Sequence, residues 1–220
     1  LKQMMKRKEG VVSQTIDGIK YLMDKNKISV IKGSASFVDG NTLNIVNNGK
    51  TEVVTGKNII IATGSEVTPL PPVPVDGKKI ITSNEAISLK KVPKHMIVIG
   101  GGVIGVELGS VYARLGAKVT VIEFLGGLIP TMDRELGKAL EKSLKGHGFE
   151  YHFNTKVVGA TTSGSKVTVA AEKKDGSQIS IDGDVVLVAI GRRPYTQSLG
   201  LENINVVPNK GGQIEVNGDY

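Results

Sequence analysis

The sequence predicts an α/β fold with a central parallel sheet and an added layer of antiparallel strands. Three observations support this: an apolar strand that runs into a glycine-rich turn and a helix, a second apolar strand that ends in an acidic residue, and several short strands separated by Asp-Gly and Asn-Gly turns. The chain has 220 residues, of which 40% are hydrophobic, and this suffices for one or two domains with hydrophobic cores. Its 28 glycines suit an α/β protein.

A G-x-G-x-x-G turn follows the apolar strand Met96–Ile99 and opens a helix. Gly100 permits the tight turn out of the strand, Gly102 leaves room for a pyrophosphate beside the backbone, and Gly105 lets the helix approach the sheet. The unpaired N–H groups and the dipole at the start of the helix favour phosphate there. The pattern is typical of a dinucleotide-binding βαβ unit.

The second strand of this unit, Lys118–Ile122, ends in Glu123. A carboxylate at this point can accept hydrogen bonds from both hydroxyls of an adenosine ribose, and it repels a 2′-phosphate. The next residues, Phe124–Gly126, contain no Arg that could reverse this preference. The sequence therefore predicts binding of NAD rather than NADP; the alternative is a glycine turn that only packs a helix against a sheet.

Residues 1 to about 24 are predicted to be helical because their apolar residues recur at helical spacing. Short strands follow, with Asp39-Gly40 and Asn48-Gly49 as hairpin turn signals between them. These strands are Ile28–Ile31, Ala35–Val38, Thr42–Ile45 and Glu52–Thr55. Asn58–Ser65 is predicted to be a buried strand that runs into a small-residue turn. The prolines within residues 69–74 predict an extended linker and a nearby domain boundary.

Helix signals also flank the βαβ unit. Ser83 is predicted to cap a short helix at Asn84–Leu89, and Asp133 to cap a helix that runs to about Lys145. The remaining predicted strands are Tyr151–Phe153, Lys156–Val158, the hairpin Lys166–Glu172 with Gln178–Ile181, Asp184–Ile190, and Gln213–Val216.

Composition excludes several classes of site. The chain has no cysteine, so it can form no disulfide, thiolate zinc site or thiol nucleophile. No apolar run reaches membrane-spanning length, so no membrane association is expected. The net charge is +7, but only 4% of the residues are aromatic, and positive charge is dense only at Lys2–Lys8. We therefore expect this segment to be a solvated helix face, and we expect no nucleic-acid partner. His95, His147 and His152 have neither metal nor triad spacing, and no metal site is expected.

These motifs together resemble the FAD-dependent pyridine nucleotide–disulfide oxidoreductases over the whole chain. The segments that carry the resemblance are Met4-Met5, Lys57–Pro69, Ser88–Pro93, Gly102–Val111, Glu123–Gly126, Ala189–Pro194 and Leu199–Glu202. The resemblance implies an FAD/NAD(P)-binding Rossmann-like three-layer fold, with the NAD-binding domain at residues 82–205. Residues 1–81 would be the C-terminal part of a first FAD-domain segment, and residues 206–220 the start of a returning one, both incomplete.

The resemblance also implies two sets of cofactor contacts. The implied NAD-binding residues are Gly100, Gly101, Gly102, Val103, Ile104, Gly105, Val106, Glu107, Glu123, Val157 and Gly191. The implied FAD contacts are Ala35, Thr63, Gly64 and Ser65, although the family usually has glycine in place of Ala35. Among these, Glu123 would meet the adenosine ribose, Val157 the adenine side, and Gly191 the nicotinamide end. Glu107 would lie where nicotinamide meets flavin.

The members that the chain resembles pass electrons from dihydrolipoamide, carried on an acyltransferase or lipoyl carrier protein, through a disulfide and FAD to NAD. They imply a homodimer in a bacterial cytoplasm or a mitochondrial matrix. The redox cysteine pair and the His–Glu acid/base pair of the family are absent here, and the chain has the character of a fragment cut at both ends. No catalytic residue is therefore predicted in it, and it is expected to be inactive alone. The alternatives are another disulfide reductase, for glutathione or mercuric ion, and a non-catalytic NAD-binding module.

Overall fold

The structure, a computed structural model, describes residues 1–218. In chain order its elements are α1 (Lys2–Lys25), β1 (Ser34–Asp39), β2 (Thr42–Asn47), β3 (Lys50–Thr55), β4 (Ser65–Val67), β5 (Ile80–Ile81), α2 (Ser83–Ala86), β6 (His95–Ile99), α3 (Val103–Arg114), β7 (Lys118–Ile122), α4 (Arg134–Lys145), β8 (Phe149–His152), β9 (Thr155–Ser163), β10 (Lys166–Lys173), β11 (Gln178–Gly183), β12 (Val185–Val188), β13 (Arg192–Pro194) and a 3-10 helix at Leu201–Ile204. None of these helices combines the length and the apolar character needed to span a membrane.

The chain forms two compact units. Unit 1 comprises Leu1–Met5 and Val67–Arg192, and unit 2 comprises Lys6–Glu66 and Arg193–Tyr220. The domain boundaries that the family resemblance implies, after residues 81 and 205, stay a prediction.

Unit 1 is organised around a five-stranded sheet with the order β5–β12–β6–β7–β8, in which every neighbouring pair is parallel. The side chains of β6 alternate between two hydrophobic layers. Met96 and Val98 pack in the cluster that contains residues of α2, α3 and α4. Ile97 and Ile99 pack in a second cluster with residues of the antiparallel sheet β9–β11. Because both faces are covered, the strand is apolar at nearly every position, and the predicted three-layer α/β fold is confirmed.

The helices of unit 1 begin where the sequence provides caps. Asp133 caps α4 as predicted, since its Oδ1 accepts the Glu135 N–H at 2.7 Å. The cap of α2 is Thr82 rather than Ser83: its hydroxyl accepts the Asn84 N–H at 3.2 Å, and Glu85 accepts the Thr82 N–H at 2.8 Å. Only Thr82 has a glutamate three positions later, which completes a reciprocal capping box. The helix ends at Ala86, three residues earlier than predicted.

Unit 2 contains the hairpins predicted between residues 35 and 55, whereas the predicted hairpin of Lys166–Glu172 with Gln178–Ile181 forms in unit 1 as β10 and β11. The sheet β1–β2–β3 is antiparallel, with turns at the expected Asp-Gly and Asn-Gly positions. Phe37 of β1 forms a small core with Leu199 and Leu201, and its N–H donates to the Leu199 carbonyl at 2.7 Å. Helix α1 spans the predicted residues, but none of its side chains is buried.

Three predicted strands are not strands in the structure. Residues 28–31 and 213–216 have irregular backbone. The predicted buried strand Asn58–Ser65 has no ladder before Ser65, and Ile60 in it is 88% exposed. A buried strand needs at least one neighbouring strand to satisfy its backbone N–H and C=O groups, and among residues 1–218 no strand pairs with residues 58–64. The apolar pattern identified a segment suited to burial but could not supply its partners.

A polar cluster lies at the amino ends of the parallel strands. His95 Nε2 lies 2.8 Å from the buried Thr120 hydroxyl, and Asp184 accepts the His95 N–H at 3.0 Å. Lys118 pairs with Glu150 at 2.9 Å. Burial, aided by the charge of Lys118, lowers the pKa of His95 below its usual value, although Asp182, Glu150 and Asp184 act in the opposite direction.

This pKa shift predicts a pH dependence of stability. The unfolded chain binds a proton at His95 near pH 6.5, whereas the folded chain binds it only at lower pH. Stability due to neutral His95 is therefore complete above about pH 6.5 and is lost as the pH falls towards the folded pKa. We expect His95→Gln to flatten the decline of the unfolding free energy between about pH 7 and 5, measured by urea unfolding. The pKa of His152 is lowered too, mainly by burial, so the unfolding free energy of the variant should still decline somewhat as the pH falls. If the unfolding free energies of wild type and His95→Gln declined in parallel, His95 would not be the source of the pH dependence.

Candidate nucleotide site

A cleft of about 720 Å³ lies in unit 1 at the carboxyl ends of the parallel strands. Its walls are the glycine turn after β6, the residues after β7, the start of β9 and the residues after β12. Ligands of parallel α/β sheets bind at this end, at the point where the strand order reverses. Here β6 lies between β7 and β12, which extend the sheet in opposite directions. The cleft therefore occupies the position expected for a nucleotide.

The structure brings most of the predicted NAD residues to this cleft. Those that line it are Gly100, Gly102, Val103, Ile104, Glu123, Val157 and Gly191. Four others, Gly101, Gly105, Val106 and Glu107, are not part of its lining. Gly105 and Val106 are buried in the helix, Gly101 is buried in the turn, and Glu107 is exposed on α3.

The three glycines of the motif have different surroundings. Gly100 has φ +105°, and a Cβ there would lie 2.4 Å from the Ala189 carbonyl oxygen. A Cβ on Gly105 would lie 2.3 Å from the Gly100 carbonyl oxygen. A Cβ on Gly102 would have no atom within 4 Å, so the backbone there borders open space in the cleft. The first and third glycines thus serve the fold, and the second leaves room for a ligand.

The start of α3 gives the cleft an anion-binding character. Gly102 is the N-cap and contributes no side-chain hydrogen bond to the first turn. Val103 and Ile104 of that turn line the cleft. The N–H groups and dipole of a helix of this length favour a phosphate group at its start.

Glu123 is the acidic group of the cleft, and only 8% of it is exposed. Its Oε2 accepts the Gly101 N–H at 2.5 Å, and its Oε1 accepts the Leu125 N–H at 2.7 Å. The residue itself is fixed to β8 and β9, since its N–H donates to the His152 carbonyl and its carbonyl accepts the Thr155 N–H. Two carboxylate oxygens have about four acceptor sites, so both can still accept a ligand hydroxyl.

The loop after Glu123 is a part of the site that the sequence did not predict. Pro130 and Thr131 line the cleft, and Ile129 before them has φ +42°, which is rare for a β-branched residue. The Ile129 N–H donates to the Gly101 carbonyl at 2.8 Å. Leu70 and Pro72, from the proline-rich linker, also line the cleft. Nothing near Pro72 or Pro130 in the sequence indicated that either residue lies close to the glycine turn.

The predicted FAD contacts lie in unit 2. Ala35 is on β1, and Thr63, Gly64 and Ser65 form an exposed turn before and into β4. The Thr63 hydroxyl donates to the Tyr195 carbonyl at 2.5 Å, and the Tyr195 N–H donates to the Gly64 carbonyl at 3.0 Å. The cleft of unit 2, about 350 Å³, is lined by residues between Thr196 and Pro208 and by none of these four. The cleft of unit 1 is not lined by them either, so the predicted FAD contacts stay a prediction.

The described residues contain no group of three or more His, Asp or Glu side chains that could hold a metal ion.

Comparison with known proteins gave related sequences over the whole chain. The family model described as pyridine nucleotide-disulphide oxidoreductase matches residues 2–220. The mitochondrial dihydrolipoyl dehydrogenase of Caenorhabditis elegans is 46% identical over 99% of the chain. The dihydrolipoamide dehydrogenase of Chaetomium thermophilum is 47% identical over 100% of it.

Other relatives have different names or known structures. Leghemoglobin reductase of Glycine max is 44% identical over 99% of the chain and 42% of its own length. LpdA from Mycobacterium tuberculosis has a TM-score of 0.84 at 28% identity, over 94% of this chain and 45% of its own. The HOCl-induced flavoprotein disulfide reductase RclA from Escherichia coli has a TM-score of 0.76 at 29% identity, over 94% and 48%. The chain spans 44% of the length of the first two relatives.

Proposed function

Because the chain belongs to the pyridine nucleotide-disulphide oxidoreductase family, we propose that its unit 1 binds NAD in the cleft beside the glycine turn. We further propose that it is the NAD-binding portion of a longer flavin-dependent oxidoreductase that oxidises dihydrolipoamide. The names of the relatives at 46% and 47% identity support this substrate. In this proposal residues 82–205 form the NAD-binding domain, and residues 1–81 with 206–220 are portions of an FAD domain.

The observation that carries the proposal is the position of Glu123. Its carboxylate lines the same cleft as Gly102 and the first turn of α3, at the end of the strand next to β6. A pyrophosphate at the helix start and an adenosine ribose at Glu123 would occupy adjacent parts of this cleft. Bound NAD supplies the acceptor for a hydride. The residues of this chain bind and orient it: Val157 at the adenine side, Gly191 at the nicotinamide end, and Glu107 near the flavin.

The FAD assignment concerns the longer protein. Ala35, Thr63, Gly64 and Ser65 are exposed, and a methyl group added to Gly64 would have nothing within 4 Å. The exposed apolar segment around Ile60 and the exposed helix α1 give unit 2 surfaces suited to burial against further protein. These features support FAD contacts made together with residues outside this chain.

The partners of the longer protein would follow from its substrate. We propose dihydrolipoamide on an acyltransferase or lipoyl carrier protein as the electron donor, and a homodimer as the assembly. The relatives named as mitochondrial support a mitochondrial matrix location, and a bacterial cytoplasm is the second option.

The binding proposal is tested on the 220-residue chain by calorimetric titration with NAD and with NADP. We expect NAD to bind at least about tenfold more tightly, since Glu123 repels a 2′-phosphate. Glu123→Ala should reduce this discrimination, whereas Glu52→Ala, an exposed acid on β3 in unit 2, should not. Equal affinity for the two nucleotides would contradict the role of Glu123, and no affinity for either would contradict the NAD site.

The activity proposal is tested on the longer protein by following NAD reduction with dihydrolipoamide and FAD supplied. Turnover with NAD and little with NADP is the expected result. If the protein binds flavin but reduces glutathione disulfide or mercuric ion and does not oxidise dihydrolipoamide, the family assignment stands and the proposed substrate is wrong. Absence of both flavin and turnover would favour a non-catalytic NAD-binding module.

A further inference from the structure

The Glu123 carboxylate has two partners among the backbone groups of its own chain. It bridges the N–H groups of Gly101 and Leu125, at 2.5 and 2.7 Å. Gly101 belongs to the glycine turn and Leu125 to the loop that follows β7. A ribose-binding acid needs neither bond to recognise hydroxyls. The acid therefore joins two separate walls of the cleft through bonds that involve no ligand.

Gly101 is held from both sides. Its N–H donates to Glu123, and its carbonyl accepts the Ile129 N–H at 2.8 Å. A Cβ on Gly101 would lie 3.3 Å from Glu123 Oε2 and 3.0 Å from Leu128 Cδ2, so the acid and the loop pack directly against this glycine. Ile129 keeps its unfavourable φ of +42° while making this bond. The contacts fix the peptide groups between Gly100 and Gly102, the stretch that a pyrophosphate approaches.

We propose that Glu123 is a positioning residue for the glycine turn in addition to its contact with the ribose, and that it holds the turn in the nucleotide-binding conformation before NAD arrives. This inference rests on the proposed NAD site. Hydrogen bonds to an ionised acceptor are stronger than neutral ones, and burial of Glu123 keeps water from competing for these two. Nucleotide binding must then depend on Glu123 even when the ligand has no ribose hydroxyl for it to bind.

The test uses Glu123→Gln and an NAD analogue whose adenosine ribose is 2′,3′-dideoxy. Glutamine has the same shape but one acceptor oxygen, and its amide would place a donor against a backbone N–H. If the carboxylate served only the ribose, the analogue would bind wild type and variant equally. We expect the variant to bind the analogue about tenfold or more weakly than wild type does, by calorimetry on the 220-residue chain. The matched control Glu52→Gln, on β3 of unit 2, should bind both ligands as wild type does.

Amide hydrogen exchange without nucleotide gives a second reading. The Gly101 and Leu125 amides should exchange about tenfold faster in Glu123→Gln, while the amides of β6 and β7 exchange as in wild type. If all of these amides exchange faster and the melting temperature falls, Glu123 stabilises the whole unit rather than the turn, and the positioning role is overturned.

Equal affinity of the two proteins for the analogue, or unchanged exchange at Gly101 and Leu125, would overturn the positioning role and leave the NAD site intact. A wild-type chain that binds neither NAD nor the analogue would overturn the proposed function as well.

Discussion

Replacing Gly100 with alanine is expected to destabilise the chain by about 3 to 4 kcal/mol and to abolish nucleotide binding. The residue has φ +105°, which strains any L-amino acid with a side chain. The new methyl group would lie 2.4 Å from the Ala189 carbonyl oxygen and 2.8 Å from its carbonyl carbon. Both are backbone atoms at the end of β12, so the clash can be relieved only by separating β12 from the turn after β6.

Two further glycines provide the comparison. Gly102→Ala should leave the unfolding free energy nearly unchanged, because its methyl group would meet no atom within 4 Å and its φ of −73° suits alanine. It should nevertheless weaken NAD binding, since the methyl group would occupy space beside the phosphates. Gly18→Ala, in the exposed helix α1, should stabilise that helix by up to about 1 kcal/mol and leave binding unchanged. Urea unfolding and calorimetry would separate the three effects; wild-type stability of Gly100→Ala would contradict the packing described for the turn.

Ile97→Ala should cost about 3 to 4 kcal/mol of the unfolding free energy of unit 1. Ile97 is fully buried in the central strand β6, on the face covered by β9–β11. Its terminal carbons fit so closely that a Cβ on Gly183 would lie 2.9 Å from Ile97 Cδ1. Since strand backbone at Gly183 lies against the Ile97 side chain, the cavity cannot collapse easily, which places the cost in the upper part of the range for such truncations.

Val53→Ala is the control for this second prediction. Val53 is 63% exposed on β3 of unit 2, so its truncation should change stability by no more than about 0.5 kcal/mol. Two units need not unfold in a single step, so urea unfolding should be combined with amide exchange of β6 and β10. A small effect of Ile97→Ala on those amides would indicate that β9–β11 does not form the covering layer of the sheet.

The parts of the site that are local in sequence could be predicted from it. Gly100, Gly102 and Glu123 belong to one strand–turn–helix–strand unit, whose geometry follows from residue types at short spacing. The apolar runs of β6 and β12 likewise indicated strands covered on both faces. The cap of α4 at Asp133 needed only the side chain and its own helix.

The parts that depend on distant residues could not be predicted. Leu70 and Pro72 reach the cleft from the linker, and the pairing of β4 with β13 joins segments more than a hundred residues apart. Residues 58–64 have the composition of a buried strand but no partner among residues 1–218. The bond between Ile129 and Gly101 depends on a loop conformation with positive φ, which the residue type disfavours.

The strand order of unit 1 has a consequence for synthesis on the ribosome. Strand β12 lies between β5 and β6, yet it is made last of the three, about a hundred residues after β5. Until residue 188 emerges, β6 presents an unpaired edge next to its apolar faces, which is the kind of surface that chaperones cover and that neighbouring nascent chains can pair with. The ladder β5–β12–β6, and with it the packing of Ala189 against the glycine turn, can therefore form only after β12 has been made.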